Sequence, residues 1–364
     1  MICCLFGYEI FVNQAHYLSF YICRMILVTG GTGLVGSHLL YELALKGTEI
    51  KALKRKASNL ELVRKTFLGY DKNAGKLFDR ISWVEGDVLD IYSLEDAMKG
   101  VDDLYHCAGM VSFYGKDKRA LYRTNSNGTA NVVDAALISG IRKLCHVSSI
   151  SALGKTRQGE TLTENHFWKT SKNNSHYAIS KYAAEREIWR GAEEGLEVIV
   201  VNPAIILGPG DWNNGSSKLF PTVWSGMFYY TNGVNGYVDV RDVVRIMVQL
   251  MESDIKNQRF ILSASDVSYR QIISMIAQSF NKKQPFFKLY PWMGELGWRM
   301  EKLKLLIGKR PTYSRQIAES AFHEFHYSNQ KITAALNYEF IPIKKSIEET
   351  ASIFLQEMNA KTRK

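Results

Sequence analysis

Tyr177 and Lys181 are the pair of side chains in this sequence with the clearest capacity for chemistry. They lie four residues apart in "SHYAISKYAAE" (175–185), a stretch of helical pattern, so they share one helical face. A phenol has a pKa of about 10, and a nearby ammonium group favours the phenolate and lowers that pKa. We therefore expect Tyr177 to have a lowered pKa and to exchange a proton with a carbonyl oxygen or an alcohol.

Two serines stand where they could assist this tyrosine. "VSSISALG" (147–154) leaves the carboxyl end of a predicted strand, "KLCHVSS" (143–149). Open α/β sheets bind their ligands at that end of the strands. A hydroxyl there can hydrogen-bond the same substrate oxygen as Tyr177, and Ser148 and Ser149 both qualify.

A glycine-rich turn near the start of the sequence has the pattern of a phosphate cradle. "MILVT" (25–29) predicts a buried parallel strand, "GGTGLVG" follows, and "SHLLYELALKG" has a helical pattern. The glycines match both TGxxGxxG and GxGxxG, which permit a tight turn, close approach to a pyrophosphate and close helix–strand packing. The helix N-terminus adds free N–H groups. We expect this turn to bind a dinucleotide through Gly30, Thr32, Gly33, Leu34, Val35 and Gly36.

The end of the second predicted strand indicates which dinucleotide. "EIKALKRKAS" (49–58) ends in three cations, Lys54, Arg55 and Lys56. It lacks the carboxylate that holds the ribose 2′-hydroxyl in NAD-binding folds. We therefore expect NADP(H) as the cofactor, with Arg55 holding the 2′-phosphate, and NAD remains the alternative.

The elements that position these residues alternate between strand and helix. "ISWVEGDV" (81–88) predicts a third strand that ends in Asp87 and Val88, where an adenine would lie. "SLEDAMKG" predicts a short helix capped by Ser93. "VDDLYHCAG" (101–109) predicts a fourth strand, whose tip at Ala108 would face the nicotinamide half. A helix over about 120–139 and a late strand, "RFILSA" (259–264), continue the pattern. This alternation predicts an α/β fold with a doubly wound parallel sheet, the Rossmann arrangement.

Composition narrows the class of protein. The 364 residues are 46% hydrophobic, which is enough for a large core. The net charge of +10 comes from scattered Lys and Arg, so we expect a basic surface and no nucleic-acid partner. No apolar run reaches the ~18 residues that span a bilayer, so we expect no membrane partner. The five cysteines show no metal-ligand or disulfide spacing, which predicts no metal site and a cytoplasmic location.

The first 24 residues precede the first predicted strand and have no place in this pattern. They are apolar and aromatic, but Glu9, Asn13, Gln14 and His16 interrupt them, and a basic start typical of signal peptides is absent. Met25 could itself be an initiator. We therefore expect residues 1–24 to be either an over-extended start or an unstructured appendage.

Seven signals occur in the order typical of one enzyme family. They are TGxxGxxG, Asp87 after the third strand, "NSNGT" (125–129), the paired serines before "SALG", YxxxK, "NPAIILGPGD" (202–211) and "YVDVRDVV" (237–244). On these motifs, residues 25–355 resemble the extended short-chain dehydrogenase/reductase family, also called the NAD-dependent epimerase/dehydratase family.

The resemblance implies a role for each matched residue. In that family a Ser, a Tyr and a Lys form the catalytic triad, and an Asn on the preceding helix supports a proton relay. Carried onto this sequence, they are Ser149, Tyr177, Lys181 and Asn125. Pro203 lies on the segment that runs past the nicotinamide, and the partner is a small-molecule substrate.

The resemblance also separates activities within the family. Ile150 and Ser151 follow Ser149 where dehydratases carry acidic residues, and Leu153 stands where sugar-nucleotide epimerases usually carry a Tyr. "NPAIILGPGDW", "GKRPTYSRQ" and "HYSNQKITAALNYEF" are similar to the dihydroflavonol reductase and hydroxysteroid dehydrogenase branch. We therefore expect an NADPH-dependent reductase of a ketone or aldehyde. An NAD-dependent sugar-nucleotide epimerase of the same family and a cofactor-binding sensor without turnover are the alternatives.

The chain is expected to divide between two interlocked domains. Residues 25–203 and 237–263 would form the dinucleotide-binding domain, 204–236 and 264–355 a smaller, discontinuous α/β substrate-binding domain, and 356–364 a basic tail. The substrate-binding region holds many aromatics, which suit a hydrophobic substrate, although core packing is the favoured explanation for any single ring. The last helix, "SIEETASIFLQEM", is expected to pack back onto the chain or to pair with a second subunit in a homodimer.

Overall fold

A computed structural model describes residues 24–157, 159–304 and 315–362. Most of the predicted extension 1–24, the cluster "GKRP" (308–311) and the last two residues of the basic tail lie outside these ranges. The described strands, in chain order, are β1 (Met25–Thr29), β2 (Glu49–Lys54), β3 (Ser82–Glu85), β4 (Asp103–His106), β5 (Lys143–Val147), β6 (Thr161–Leu162), β7 (Glu197–Pro203), β8 (Ile205–Leu207), β9 (Tyr229–Tyr230), β10 (Val234–Asp239), β11 (Gln258–Leu262), β12 (Ser265–Ser268), β13 (Phe287–Lys288) and β14 (His326–Tyr327).

The predicted doubly wound parallel sheet is confirmed. Seven strands pair in the order β3-β2-β1-β4-β5-β7-β11, and every pairing is parallel. The chain winds outward from β1 in one direction, returns, and continues from β4 in the other. The order therefore reverses between β1 and β4, which makes that gap the place where such sheets bind ligands.

Helices cover both faces of this sheet. The described helices are α1 (Leu34–Leu45), α2 (Leu60–Tyr70), α3 (Gly75–Phe78), α4 (Ile91–Met98), α5 (Lys118–Leu121), α6 (Gly128–Ile138), α7 (His176–Glu193), α8 (Leu219–Trp224), α9 (Val240–Glu252), α10 (Tyr269–Ser279), α11 (Pro291–Leu303), α12 (Arg315–Ser320), α13 (Gln330–Leu336) and α14 (Ile343–Thr362). A π-helical segment, Tyr122–Asn127, joins α5 to α6 and makes one continuous helix of the three.

Alternation along the strands divides the core into two layers. Ile26 and Val28 of β1 face one layer, which holds the apolar faces of α1, α2 and α9. Leu27, between them, faces the second layer with α4, α6 and α7. Because a parallel sheet is buried on both faces, its strands read as continuous apolar runs, which explains why "MILVT" predicted a strand correctly.

Smaller sheets lie beyond the central one. β10 pairs in parallel with β8 and antiparallel with β12, while β9 pairs with β13 and β6 with β14. A third core cluster packs α8, α10 and α14 together around Phe220 and Phe280. The expected domain boundary at residue 237 falls inside β10, so one strand serves both proposed regions.

The expected cap of α4 is wrong. Asp90, not Ser93, precedes the helix, and its Oδ1 accepts hydrogen bonds from the N–H groups of Tyr92 (3.1 Å) and Ser93 (3.4 Å). Ser93 lies inside the first turn, and its hydroxyl donates to the Asp90 carbonyl at 2.8 Å. An aspartate three residues earlier takes the cap because its carboxylate reaches the same free N–H groups.

Among the helices that the structure describes, none combines the length and the apolar character that crossing a membrane requires.

Candidate active site

The loops that follow β1 and β4 touch each other at the point where the strand order reverses. Gly30 has a φ of +69°, and an added Cβ there would lie 2.4 Å from the Ala108 backbone nitrogen. A Cβ on Gly36 would lie 2.2 Å from the Gly30 carbonyl oxygen. These two glycines are therefore required by the protein's own packing, because side chains would force the loops and α1 apart.

Gly33 has a different surrounding. A Cβ on Gly33 would meet only the Gly30 carbonyl oxygen, at 3.4 Å, so the space above it is open. Gly33 is also the N-cap of α1 and provides no side chain to cap the helix. The N–H groups of Leu34, Val35 and Gly36 in the first turn have no acceptor within the helix. This uncapped, positively polarised turn fits the pyrophosphate of a dinucleotide.

The segment at Pro209 and Gly210 crosses the beginning of α1. His38 of that helix contacts the Pro209 carbonyl oxygen through Nε2 at 2.8 Å, and burial lowers the pKa of this histidine to about 4. A Cβ on Gly210 would lie 2.9 Å from Leu34 Cδ1. The motif "NPAIILGPGD", which begins in β7 with Asn202 and Pro203, thus runs from the sheet edge to the glycine-rich turn.

Arg55 lies in an exposed turn directly after β2. Its N–H donates to Ser58 Oγ at 3.0 Å, and its carbonyl accepts from the Ser58 N–H at 2.9 Å. Within the described ranges, no carboxylate forms a salt bridge with its guanidinium. The backbone of Arg55 is therefore fixed, and its charge remains available to an anion.

Asp87 and Val88 lie in the loop after β3, since that strand ends earlier than predicted, at Glu85. The Asp87 N–H donates to Ser93 Oγ (3.1 Å), and its Oδ1 accepts from the Leu89 N–H (3.0 Å). The Val88 carbonyl accepts from Asn131 Nδ2 at 3.0 Å. Hydrogen bonds to two helices therefore hold this loop in a single arrangement.

Tyr177 meets Ser149 across the carboxyl end of β5. Ser175 caps α7 by accepting a hydrogen bond from the Ala178 N–H at 3.0 Å, which places Tyr177 in the first turn. The Ser149 hydroxyl lies close enough to the Tyr177 phenol to lower its pKa. The neighbouring Ser148 donates instead to Glu185. Of the two serines that the sequence leaves open, the structure brings only Ser149 to the tyrosine.

The expected lowering of the Tyr177 pKa is wrong. Burial raises the pKa of Tyr177, and the nearby Ser149 hydroxyl opposes this only in part. The Lys181 ammonium donates to the Val147 carbonyl at 2.8 Å. Tyr177 therefore stays protonated at neutral pH, which is the state that can donate a proton.

Lys181 is a buried cation, with 4% of its surface exposed. Burial lowers its pKa to about 8, while the carboxylate of Glu185, one helical turn further along α7, acts in the opposite direction. Without that counter-charge, burial would favour the neutral amine still more. Glu185 therefore favours the charged form of Lys181.

Glu185 is the site residue that sequence reasoning missed. It is 2% exposed, accepts hydrogen bonds from Ser148 and Asn202, and lies 3.5 Å from Arg259. Asn202 also donates to the Ser149 carbonyl at 3.0 Å. One carboxylate thus connects α7 with the ends of β5, β7 and β11. The i, i+4, i+8 spacing of Tyr177, Lys181 and Glu185 on one helical face could have indicated it.

Asn125 does not present its side chain to Tyr177 or Lys181. Its Oδ1 accepts from the Met110 N–H (2.7 Å), and its Nδ2 donates to the Met110 carbonyl (2.9 Å) and to Ser180 Oγ (2.9 Å). A Cβ on Gly109 would lie 3.5 Å from Asn125 Oδ1 and 3.7 Å from Lys181 Nζ. The asparagine therefore holds the loop after β4 beside the lysine.

A buried chain of hydrogen bonds also fixes the Asn125 backbone. Thr129 donates to the Asn125 carbonyl at 2.6 Å, so His106 Nε2 must donate to Thr129 Oγ1, 2.9 Å away. His106 Nδ1 then accepts from Thr29 Oγ1 at 2.7 Å. Burial lowers the pKa of His106 to about 3 and keeps this imidazole neutral. His106, at the end of β4, therefore links β1 to the helix that carries Asn125 through hydrogen bonds.

In the part of the chain that the structure describes, no three His, Cys, Asp or Glu side chains are grouped so that they could hold a metal ion.

Comparisons with known proteins agree with this architecture. The sequence model of the NAD dependent epimerase/dehydratase family matches residues 26–262. A "Putative dihydroflavonol 4-reductase" of Synechocystis is 27% identical, over 95% of this chain and 98% of that protein. Cinnamoyl-CoA reductase 1 of Petunia hybrida is 25% identical, over 90% of this chain and 91% of its own. The crystal structure of gox2253 superposes with a TM-score of 0.76 at 26% identity, covering 92% of this chain and 98% of that one.

Substitution of two glycines should separate ligand binding from folding. Gly33→Ala places a methyl group in open space, so the protein should fold normally while its dissociation constant for NADPH rises at least about tenfold, or about 1.4 kcal/mol. Gly36→Ala places the methyl group against the Gly30 carbonyl and should cost about 1–3 kcal/mol of folding free energy. Urea unfolding and fluorescence titration with NADPH measure the two effects. Equal loss of stability in both variants would contradict this assignment.

Lys181 should make the stability of the protein depend on pH in a defined window. Between the folded pKa of about 8 and the ordinary value of 10.5, the unfolded chain binds a proton that the folded chain does not. The free energy of unfolding of wild type, relative to Lys181→Met, should therefore rise with pH by up to about 3 kcal/mol across this window. Urea denaturation of both proteins at several pH values tests this, and a constant difference would show that the ammonium is not buried.

Proposed function

The chain belongs to the NAD-dependent epimerase/dehydratase family, and we propose that within it the protein is an NADP(H)-dependent reductase of a ketone or aldehyde. The family match and the reductases among its relatives make it an NAD(P)-dependent oxidoreductase of the extended short-chain dehydrogenase/reductase type. The direction of the reaction, the preferred cofactor and the class of substrate are the parts that we infer.

The observation that carries the proposal is the proximity of the Tyr177 phenol to the Ser149 hydroxyl at the carboxyl end of β5. Two neighbouring hydroxyls can both donate to a single oxygen placed between them. The raised pKa of Tyr177 supports reduction, because the phenol holds its proton until a stronger base forms. An alkoxide that develops on a carbonyl oxygen is such a base.

The roles of the remaining residues follow from their contacts. Ser149 orients and polarises the carbonyl, and Tyr177 transfers its proton to the oxygen. Lys181 places a positive charge behind the tyrosine and stabilises negative charge that develops on the phenol. Asn125 acts as a positioning residue through Met110. When bound at the glycine-rich turn, the reduced nicotinamide cofactor supplies the hydride.

The charge beside the glycine-rich turn supports NADP(H). Lys54, Arg55 and Lys56 follow one another at the end of β2, and within the described ranges no acidic side chain forms a salt bridge with Arg55. A 2′-phosphate gains from a guanidinium at this position, whereas a 2′-hydroxyl needs a carboxylate acceptor. We assign the 2′-phosphate to Arg55.

A hydrophobic substrate is supported by a ring that the sequence did not single out. Phe113 follows β4, is partly exposed, and packs edge-on against Tyr177 with ring centroids 5.6 Å apart. By contrast, Trp212, Phe220 and Trp224 pack with Phe280 and Phe354 in the third core cluster. Phe113 therefore borders the reacting group, and those three rings serve the core.

Tyr177→Phe should remove turnover and leave cofactor binding intact. Loss of the proton donor should lower kcat by about 10²–10⁴-fold in an NADPH-oxidation assay against a panel of carbonyl compounds. Tyr182→Phe is the matched control, because Tyr182 lies on the same helix and stacks on Trp168. Turnover unchanged in Tyr177→Phe would refute the proposal, and tightly bound NAD in purified protein would favour an epimerase instead.

Arg55→Glu should change the cofactor preference. The carboxylate repels a 2′-phosphate and accepts from a 2′-hydroxyl, so the ratio of NADPH to NADH affinity should fall at least about tenfold. Arg80→Glu is the control, because Arg80 is also exposed but precedes β3, at the amino end of the parallel strands. If both variants shift the ratio alike, general surface charge and not Arg55 selects the cofactor.

A further inference from the structure

One region of the described surface concentrates exposed apolar side chains. Sixteen large apolar residues are exposed over the described chain, and nine of them fall in two short stretches, 228–229 and 286–303. The most exposed include Phe286 at 75%, Trp292 at 63% and Met300 at 62%. Scattered exposed apolar residues are ordinary, but a contiguous set indicates a binding surface.

Helix α11 presents part of this set as a stripe. Trp292, Leu296, Met300 and Leu303 are spaced by four, four and three residues, so they lie on one helical face. The opposite side of the helix is the one that packs on the protein. A Cβ on Gly294 would lie 2.7 Å from the Phe322 ring, and Trp298 stacks with the Arg315 guanidinium. The stripe is therefore turned away from the core along the full length of the helix, ~20 Å.

An aromatic cluster continues the stripe at the start of the helix. β13 pairs with β9, and the Leu289 N–H donates to the Tyr230 carbonyl at 2.9 Å, just before α11 begins. This pairing brings Phe228 against Phe286, with ring centroids 6.0 Å apart, and both rings are exposed. We call the stripe and this cluster together the aromatic face.

The segment that contains α11 is rich in basic residues. Residues 282–304 contain six Lys and Arg against two Glu, and both glutamates pair within α11, with Arg299 and Lys304. Lys282, Lys288 and Lys302 each lie over an aromatic ring, with Nζ between 4.4 and 5.5 Å from the ring centroid. Of these three rings only Tyr290, under Lys288, is one of the nine exposed apolar residues. Aromatic and aliphatic side chains bordered by cations are typical of helices that lie in the headgroup region of a bilayer.

We propose that the aromatic face binds the surface of an anionic lipid bilayer. A second copy of the chain fits less well, because a symmetric dimer would place the lysines of one copy beside those of the other. A nucleic acid fits less well too, because Leu296, Met300 and Leu303 offer no ring on which a base could stack. Anionic headgroups match the charge, and the acyl boundary accepts the apolar stripe.

This proposal goes beyond the reductase function and does not depend on it. It differs from the sequence-based expectation of no membrane partner, which rested on the lack of a run long enough to span a bilayer. A helix of 13 residues lies on a membrane surface and does not cross it.

Vesicle co-sedimentation with the full chain tests the proposal. Wild type should bind vesicles of phosphatidylcholine mixed with phosphatidylglycerol at least about tenfold more strongly than phosphatidylcholine alone, and added salt should weaken the binding. Leu296→Glu/Met300→Glu should lower binding to the mixed vesicles at least about tenfold, as should Lys288→Glu/Lys302→Glu.

Leu45→Glu/Ile138→Glu is the matched control. It adds the same charge outside the aromatic face, at side chains of similar exposure, 54% and 68%. This control should bind the mixed vesicles like wild type. Equal thermal unfolding midpoints and NADPH affinities for all proteins show that the fold is kept. The proposal fails if wild type does not bind mixed vesicles, or if Leu296→Glu/Met300→Glu binds them like the control. The proposal also fails if the only effect of Leu296→Glu/Met300→Glu is to convert a wild-type dimer to a monomer. It fails likewise if the only effect is to change binding to polyuridylate.

Discussion

The buried carboxylate of Glu185 is the interaction on which the site depends. It holds Ser148, Asn202 and Arg259, and through them the carboxyl ends of β5 and β7 and the beginning of β11. The same charge opposes the loss of the proton from Lys181. The positions of Tyr177 and Ser149 therefore depend on buried contacts made one and two helical turns further along α7.

The second constraint is the contact between the loops after β1 and β4. Gly30 allows this contact because it has no Cβ and takes a positive φ, and Gly36 lets α1 begin directly against it. The close approach leaves Gly33 and the first turn of α1 facing open space at the sheet edge. The Asn125 side chain fixes the continuation of the second loop at Met110. The glycine-rich turn and the Tyr177 region thus share one packed frame. Such a frame would hold two reactants in register in the reaction that we propose.

This arrangement has a cost in stability. Lys181 is held in a place where burial disfavours its charge, and Asn202 Oδ1 and both ring nitrogens of His146 are buried without hydrogen-bond partners in the described chain. Groups of this kind destabilise a folded protein, and they concentrate where function requires a particular arrangement. The two apolar core layers on either side of the sheet offset that cost. Buried polar groups near the sheet edge can therefore destabilise the fold locally while the protein as a whole remains stable.

The sequence by itself determined the strand–turn–helix at residues 25–45, the alternation of strands and helices and the one-turn spacing of Tyr177 and Lys181. These are local or periodic features, and periodicity follows from the geometry of each element alone. Asp90 as the cap of α4 and the part played by Glu185 were decided only by the tertiary structure. So was the direction of the Tyr177 pKa shift, since desolvation depends on everything packed around a group, and that packing joins residues far apart in the chain.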